Sequence, residues 1–221
     1  MTATARKKLI HQIKSIKAEE RRAAAWAMWK SGDALFAPVI LEALKNEKLQ
    51  DPSIWKSKCM MIAALGGLQY RKALPFLETL VTYDFSSAPI IYSELAMAIC
   101  QLEPIGTGRM EFVGKAMKSD KALFACGAFH AVYYLDFDLG EKEIVPLIRF
   151  AKEYSKRHRQ DEQLTCMPRD YLAAAAYRWK GKAVREFLLS CRASKYPHLR
   201  EIALASLEGK RSVDSRLRWY R

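Results

Sequence analysis

The sequence predicts an all-α fold, a right-handed α-solenoid of about five to six stacked helix pairs, on three observations. Apolar residues recur at helical spacing in run after run, and no stretch shows the alternation of a strand. The stretch MIAALGGLQYRKALPFLETLV, residues 61–81, joins an Ala-rich amphipathic run to a second run across a glycine break. Weaker copies of that unit recur: Pro38 and Pro75 open second helices 37 residues apart, and Pro146 follows 71 residues on, close to twice the same step. A helix–turn–helix unit at a period of this length signals stacked pairs, because each pair is apolar where it meets its neighbours and only stacking buries that surface.

Thr4 to Lys17 places Leu9, Ile10, Ile13 and Ile16 on one stripe, with Lys7, Lys8, His11, Lys14 and Lys17 largely on the other faces. A basic arm for a membrane surface or nucleic acid would have this pattern, but so would a helix that caps the first repeat. The stripe is narrow and carries no aromatic residue, so residues 1–20 are read as an N-terminal capping helix. Arg21 to Lys30 is rich in helix formers. Ser31-Gly32-Asp33 then turns the chain, with Asp33 placed to cap a helix whose buried face is Val39, Ile40, Leu41 and Leu44. Asp51-Pro52-Ser53 opens the second unit, with helices over 54–65 and 72–82 and Gly66-Gly67 expected to end the first.

The third unit is the most degenerate: an apolar helix over 87–102, a break at Pro104 to Gly108, and a short helix over 110–117. The fourth runs from Lys121 to Leu135, turns through Asp136 to Gly140, and returns over Glu141 to Lys156. Residues 157–168 form a polar loop too long for a tight turn. A fifth unit, Arg169–Lys180 and Lys182–Arg192, breaks at Gly181, and 197–221 supplies a C-terminal capping pair.

Two segments, AALGGLQYRKALPFLETLV (63–81) and LREIALASLEGK (199–210), carry an Ala-rich helix end closing on Leu and Gly (Ala63-Ala64-Leu65-Gly66 and Ala205-Ser206-Leu207-Glu208-Gly209), followed in the first by a proline-marked second helix. In this the chain resembles HEAT-like repeat proteins over residues 20–212, and the resemblance implies a single HEAT-like domain over 1–221 whose second helices line the concave face. It implies no particular activity, since such arrays serve many unrelated roles.

Half of the 221 residues are hydrophobic and 28% are charged, a globular balance that excludes global disorder. No apolar run approaches the roughly 20 residues of a membrane span, and the first 16 residues contain no apolar core of a signal peptide, so a cytoplasmic protein is expected. Cysteines 59, 100, 126, 166 and 191 share no short metal or redox spacing. Four lie in apolar helical runs and read as reduced core thiols, while Cys166, in the polar loop, is the candidate for exposure.

The search for chemistry excludes more than it finds. Gly106-Thr107-Gly108-Arg109 lacks the preceding strand and following Lys-Ser/Thr of a phosphate loop, and reads as an interhelical break with Thr107 as cap. Asp136, Asp138 and Glu141 lack the spacing of a calcium loop and read as caps. Some HEAT-like proteins are alkylpurine DNA glycosylases, which the resemblance would equip with tryptophans and an aspartate in the cleft. Trp26, Trp29 and Trp55 lie in first helices, and the one aspartate four residues on from any of them, Asp33 after Trp29, falls in the turn and reads as a cap. No catalytic residue, metal ligand or cofactor is therefore assigned, and the enzyme reading is disfavoured.

Charge points to binding. The net charge is +13, of which +4 lies in residues 1–140 and +9 in residues 141–221, a field that favours an anionic partner. The expected binding residues form a basic ramp: Lys142, Arg149, Lys152, Lys156, Arg157, Arg178, Lys180, Lys182, Arg185 and Arg192. Beside it stand Tyr154, Tyr177 and Trp179, available for stacking on bases or else part of the core. Two functions fit: a non-catalytic scaffold or adaptor gripping an acidic partner protein, and alternatively a nucleic-acid-binding protein gripping phosphates, for which the HEAT-like glycosylases are the family comparison.

Overall fold

A computed structural model of the chain describes residues 2–49, 51–157, 167–214 and 217. Among them are twelve α-helices and no strand. The chain divides into two compact units, Met1–Ala128 and Phe129–Arg221.

In the first unit, α1 (Ala3–Gln12), α2 (Ala18–Lys30), α3 (Ala37–Lys45), α4 (Trp55–Gly67), α5 (Leu74–Val81), α6 (Ile90–Leu102) and α7 (Thr107–Met117) follow in order, and α8 (Ala122–Tyr134) crosses into the second. The first helices of the pairs make the buried layer: α4 packs on α2 on one side and α6 on the other, while α3 and α5 lie against α4 and α6. Of these, α4 and α6 are buried along most of their length, whereas α2 buries only Ala24, Ala25 and Met28. α4 buries every residue from Ser57 to Gly66, and α6 buries Leu95 to Leu102. Each Met, Ile or Leu taken from water there contributes about 1.5–3 kcal/mol, which the isolated pair could not recover. The second helices are amphipathic, with Ile40, Leu41 and Leu44 of α3 and Leu77 and Leu80 of α5 turned inward.

Several expected turn features are present. Asp33 accepts from Leu35 N, Asp51 accepts from Ser53 N, and Pro38 and Pro75 stand in the first turn of their helices. Three differ. α1 stops at Gln12, so Ile13 is wholly buried, whereas Ile16 points away at 95% exposed instead of sharing its stripe. Gly66 and Gly67 lie inside the last turn of α4 and do not end it. A Cβ on Gly66 would stand 2.3 Å from the Gln101 side-chain oxygen, and one on Gly67 would stand 2.1 Å from the Trp29 indole nitrogen. Close helix approach selects these glycines, and the chain turns at Gln69, which takes a positive φ of 55°. At α7 the N-cap position is Gly106 (φ 95°), with Thr107 the first residue of the helix.

The second unit contains the rest of α8, then α9 (Glu141–Arg157), α10 (Pro168–Ala175), α11 (Lys182–Arg192) and α12 (Pro197–Leu207). α10 packs against α9 and α12, and α11 against α12 and α9. The turn after α8 differs from the expected cap. Asp136 accepts from Arg211 at 3.1 Å and lies 3.8 Å from Arg178, while Glu143 accepts from Gly140 N and caps α9. His130, fully buried, stacks on Tyr171 at 4.4 Å and donates from Nε2 to the Leu217 carbonyl at 3.2 Å. Burial pushes its pKa down to about 4, with the bond to the Leu217 carbonyl opposing the shift.

Candidate functional site

Two of the concavities formed by the described residues are candidates for a ligand site. The first, a groove of about 860 Å³ in the first unit, runs along Ile13, Ile16, Pro38, Val39 and Ile54. Its buried charges are committed to one another. Arg21 grips both oxygens of Glu47 at 2.7 and 2.9 Å, and Glu47 also accepts from Ser57. Nearby, the buried Lys58 donates to the carbonyls of Leu49 and Asp51, each at 2.7 Å. These contacts hold the α3–α4 connection in place and leave little unsatisfied for a ligand.

The second is a cleft of about 580 Å³ in the second unit, built where the end of α9, the start of α10 and the end of α11 converge. α9 supplies Lys152, Ser155 and Lys156, spaced so that all three fall on one face. α10 supplies Arg169. Ser190 of α11 and the segment Ser194, Lys195 and Tyr196 close the far wall. Among the described residues four cations thus line the space against one carboxylate, that of Glu153, which is engaged with Lys156 at 2.7 Å. A smaller recess below it is lined by Ser155, Arg169, Asp170 and His198. Asp170 is already committed: it accepts from Met167 N at 2.8 Å and lies 3.5 Å from His198 Nε2.

Part of this charge has a structural cause. The carbonyl ends of α9 and α11 attract cations, which accounts for Lys156 and Lys195 standing there. It does not account for the floor. Ser155 is 7% exposed and its hydroxyl has no hydrogen-bond partner among the described residues. Arg169 is anchored by a donated bond to the Ser190 carbonyl at 3.1 Å, yet its Nε is buried with no hydrogen-bond partner among the described residues. Each such orphan costs about 1–3 kcal/mol, and two of them line this one cationic cleft. Arg169 also lies against Cys191. Burial raises that thiol's pKa, and the guanidinium offsets only part of the rise.

Of the ten expected ramp residues, Lys152 and Lys156 line the cleft. Lys142, Arg149 and Arg157 are exposed elsewhere along α9, and Lys180, Arg185 and Arg192 are exposed on or beside α11. Lys182 faces Glu186 at 3.9 Å. Arg178 donates to the Phe137 carbonyl and pairs with Asp136. The neighbouring aromatics belong mainly to the core. Tyr154 and Trp179 are buried, Trp179 donating to the Phe137 carbonyl, and Tyr177 is half-buried beside Asp136. The reading from sequence missed Arg169, Lys195, Ser155, Ser190 and Ser194, because they come from four separate stretches. The one local signal was the Lys152–Ser155–Lys156 spacing. Cys166 lies outside the described residues. The other four cysteines are buried, and none forms a disulfide among the described residues. Among the described residues, no group of three or more His, Cys, Asp or Glu side chains is placed to hold a metal ion.

No protein-family model matches the chain, and no curated protein matches it. Among solved structures it is similar to human deoxyhypusine hydroxylase, determined in complex with glycerol, over 95% of this chain and 85% of that one, at 15% identity and a TM-score of 0.39. That similarity is too distant to transfer an activity. It does correct one expectation. The solved structure is an enzyme, so helical architecture gives no ground for a non-catalytic scaffold or adaptor gripping an acidic protein. The nucleic-acid alternative attached to that reading falls with it, since its stacking partners Tyr154 and Trp179 are buried. The all-α class stands.

Proposed function

We propose that the helix pairs are HEAT-like repeats stacked as a solenoid within each unit, and that the chain binds a small anionic molecule in the cleft between α9, α10 and α11. The repeat reading is supported by the first helices α2, α4 and α6, which begin at residues 18, 55 and 90 and stack in sequence. The binding reading rests on one observation: the unpartnered Ser155 hydroxyl and Arg169 Nε at the floor of a space ringed by four cations. A bound oxyanion would accept from both floor groups, and the ring of ammonium groups would strengthen those bonds.

The test is calorimetric titration with inorganic phosphate and pyrophosphate at low ionic strength. Lys152→Gln and Lys195→Gln are each expected to weaken binding about tenfold, the magnitude of a lost charge-assisted contact. Lys142→Gln and Arg185→Gln, exposed outside the cleft, leave it unchanged. Absence of binding to both anions, or equal weakening by all four variants, overturns the reading.

A further inference from the structure

We infer that the occupant of this cleft is a phosphorylated polyol, a sugar monophosphate in size and chemistry. The inference rests on the anion-binding reading above and deepens it. Three properties of the lining carry it.

The first is size. A phosphate group alone fills a small part of about 580 Å³, and the space falls within the range of small-molecule sites. The ligand therefore has a body as well as a charged end.

The second is the state of the wall hydroxyls. Ser190 Oγ donates to the Phe187 carbonyl at 2.6 Å and also lies within hydrogen-bond reach of the Cys191 thiol, which leaves it acceptor capacity for a ligand donor. Ser194 Oγ accepts from Tyr196 N at 3.3 Å and keeps its proton for a ligand acceptor. Glu153 engages Lys156 through one oxygen, Oε1, and the other remains to accept. A wall offering donors and acceptors in alternation matches a body whose every hydroxyl does both. It matches an acyl chain poorly, since among the described residues Ala193 and Tyr196 are its apolar surfaces. It also matches a nucleobase poorly. Among the described residues Tyr196 is the one aromatic ring in the lining, and Lys195 Nζ stands 4.9 Å over it while His198 lies 5.8 Å away, so its surroundings are already taken.

The third is charge. Four cations face one engaged carboxylate, which suits the dianion that a phosphomonoester carries above its second pKa of about 6.

The experiment is calorimetric titration of the full chain at pH 7.5 with glucose 6-phosphate, inorganic phosphate, glucose and adenosine monophosphate. Glucose 6-phosphate is expected to bind at least about tenfold more tightly than inorganic phosphate or the nucleotide, with glucose undetectable. The double variant Ser190→Ala/Ser194→Ala is expected to remove most of that preference while leaving inorganic phosphate affinity unchanged. Circular dichroism confirms that the variant is folded. Equal affinity for phosphate and glucose 6-phosphate, or tighter binding of the nucleotide, overturns the polyol assignment and leaves the anion cleft standing. Failure of every phosphate compound to bind overturns both.

Discussion

Replacing Gly127 by alanine isolates the physics that holds the first unit together. Gly127 lies in α8 where that helix meets α6, and a Cβ there would stand 2.1 Å from the backbone oxygen of Ser93 and 2.8 Å from its carbonyl carbon. The obstacle is main chain, so it cannot swing aside as a side chain would, and the helices must separate. Overpacking of this kind costs typically about 1–3 kcal/mol. Against it stands the gain of about 1 kcal/mol that alanine brings over glycine in a helix interior. Gly114 in α7 supplies the control, because a Cβ there meets nothing within 4 Å and only the helix-propensity gain remains. For a chain of this length each kcal/mol moves Tm by about 2–4 °C. Gly127→Ala is therefore expected to lower Tm by several degrees and Gly114→Ala to raise it by about 2–4 °C. Differential scanning calorimetry on the two variants decides the matter. Equal upward shifts would show that α6 and α8 do not approach as closely as described, and would refute the reasoning.

Three further outcomes follow from buried polar groups. His130 has its folded pKa near 4, below the unfolded value, so the unfolded chain binds the extra proton between about pH 6.5 and 4 and stability falls as pH drops through that window. The loss approaches about 3 kcal/mol, and Tm measured from pH 7 to 4.5 should fall less steeply in His130→Phe than in the parent. Lys58→Met leaves the carbonyls of Leu49 and Asp51 without their donor and should cost about 2–3 kcal/mol in urea unfolding; an unchanged midpoint would contradict the two bonds described. Burial raises the thiol pKa of Cys59 and Cys191 and pushes that of Cys100 to about 12, so at pH 8 these three should stay unreactive to a disulfide reagent until denaturant is added.

Local periodicity made much of the fold legible. A first helix apolar all round, such as Cys59 to Leu65, has to be buried on every side, and an amphipathic second helix such as Ala37–Lys45 has to lie over it. Punctuation was legible where one residue acts alone, as with Asp33, Asp51, Pro38 and Pro75. It was misread at Gly66-Gly67, because the same residue type serves a helix end and a close helix contact, and only the position of Trp29 and Gln101 distinguishes them.

The site was legible in fragments. Net charge announced an anion-seeking surface, and Lys152 and Lys156 fall together because a helix repeats every 3.6 residues. Arg169, Ser190 and Lys195 join them only through the packing of α9, α10 and α11, which brings together positions up to 43 residues apart in sequence. Composition and spacing by themselves determined an all-helical, basic chain, since hydrophobic periodicity and charge are properties of neighbours along the backbone. Tertiary structure alone decided which cations converge and which are paired away, and that two polar groups at the cleft lie buried without partners among the described residues. Convergence and burial depend on distances through space that a linear order does not contain.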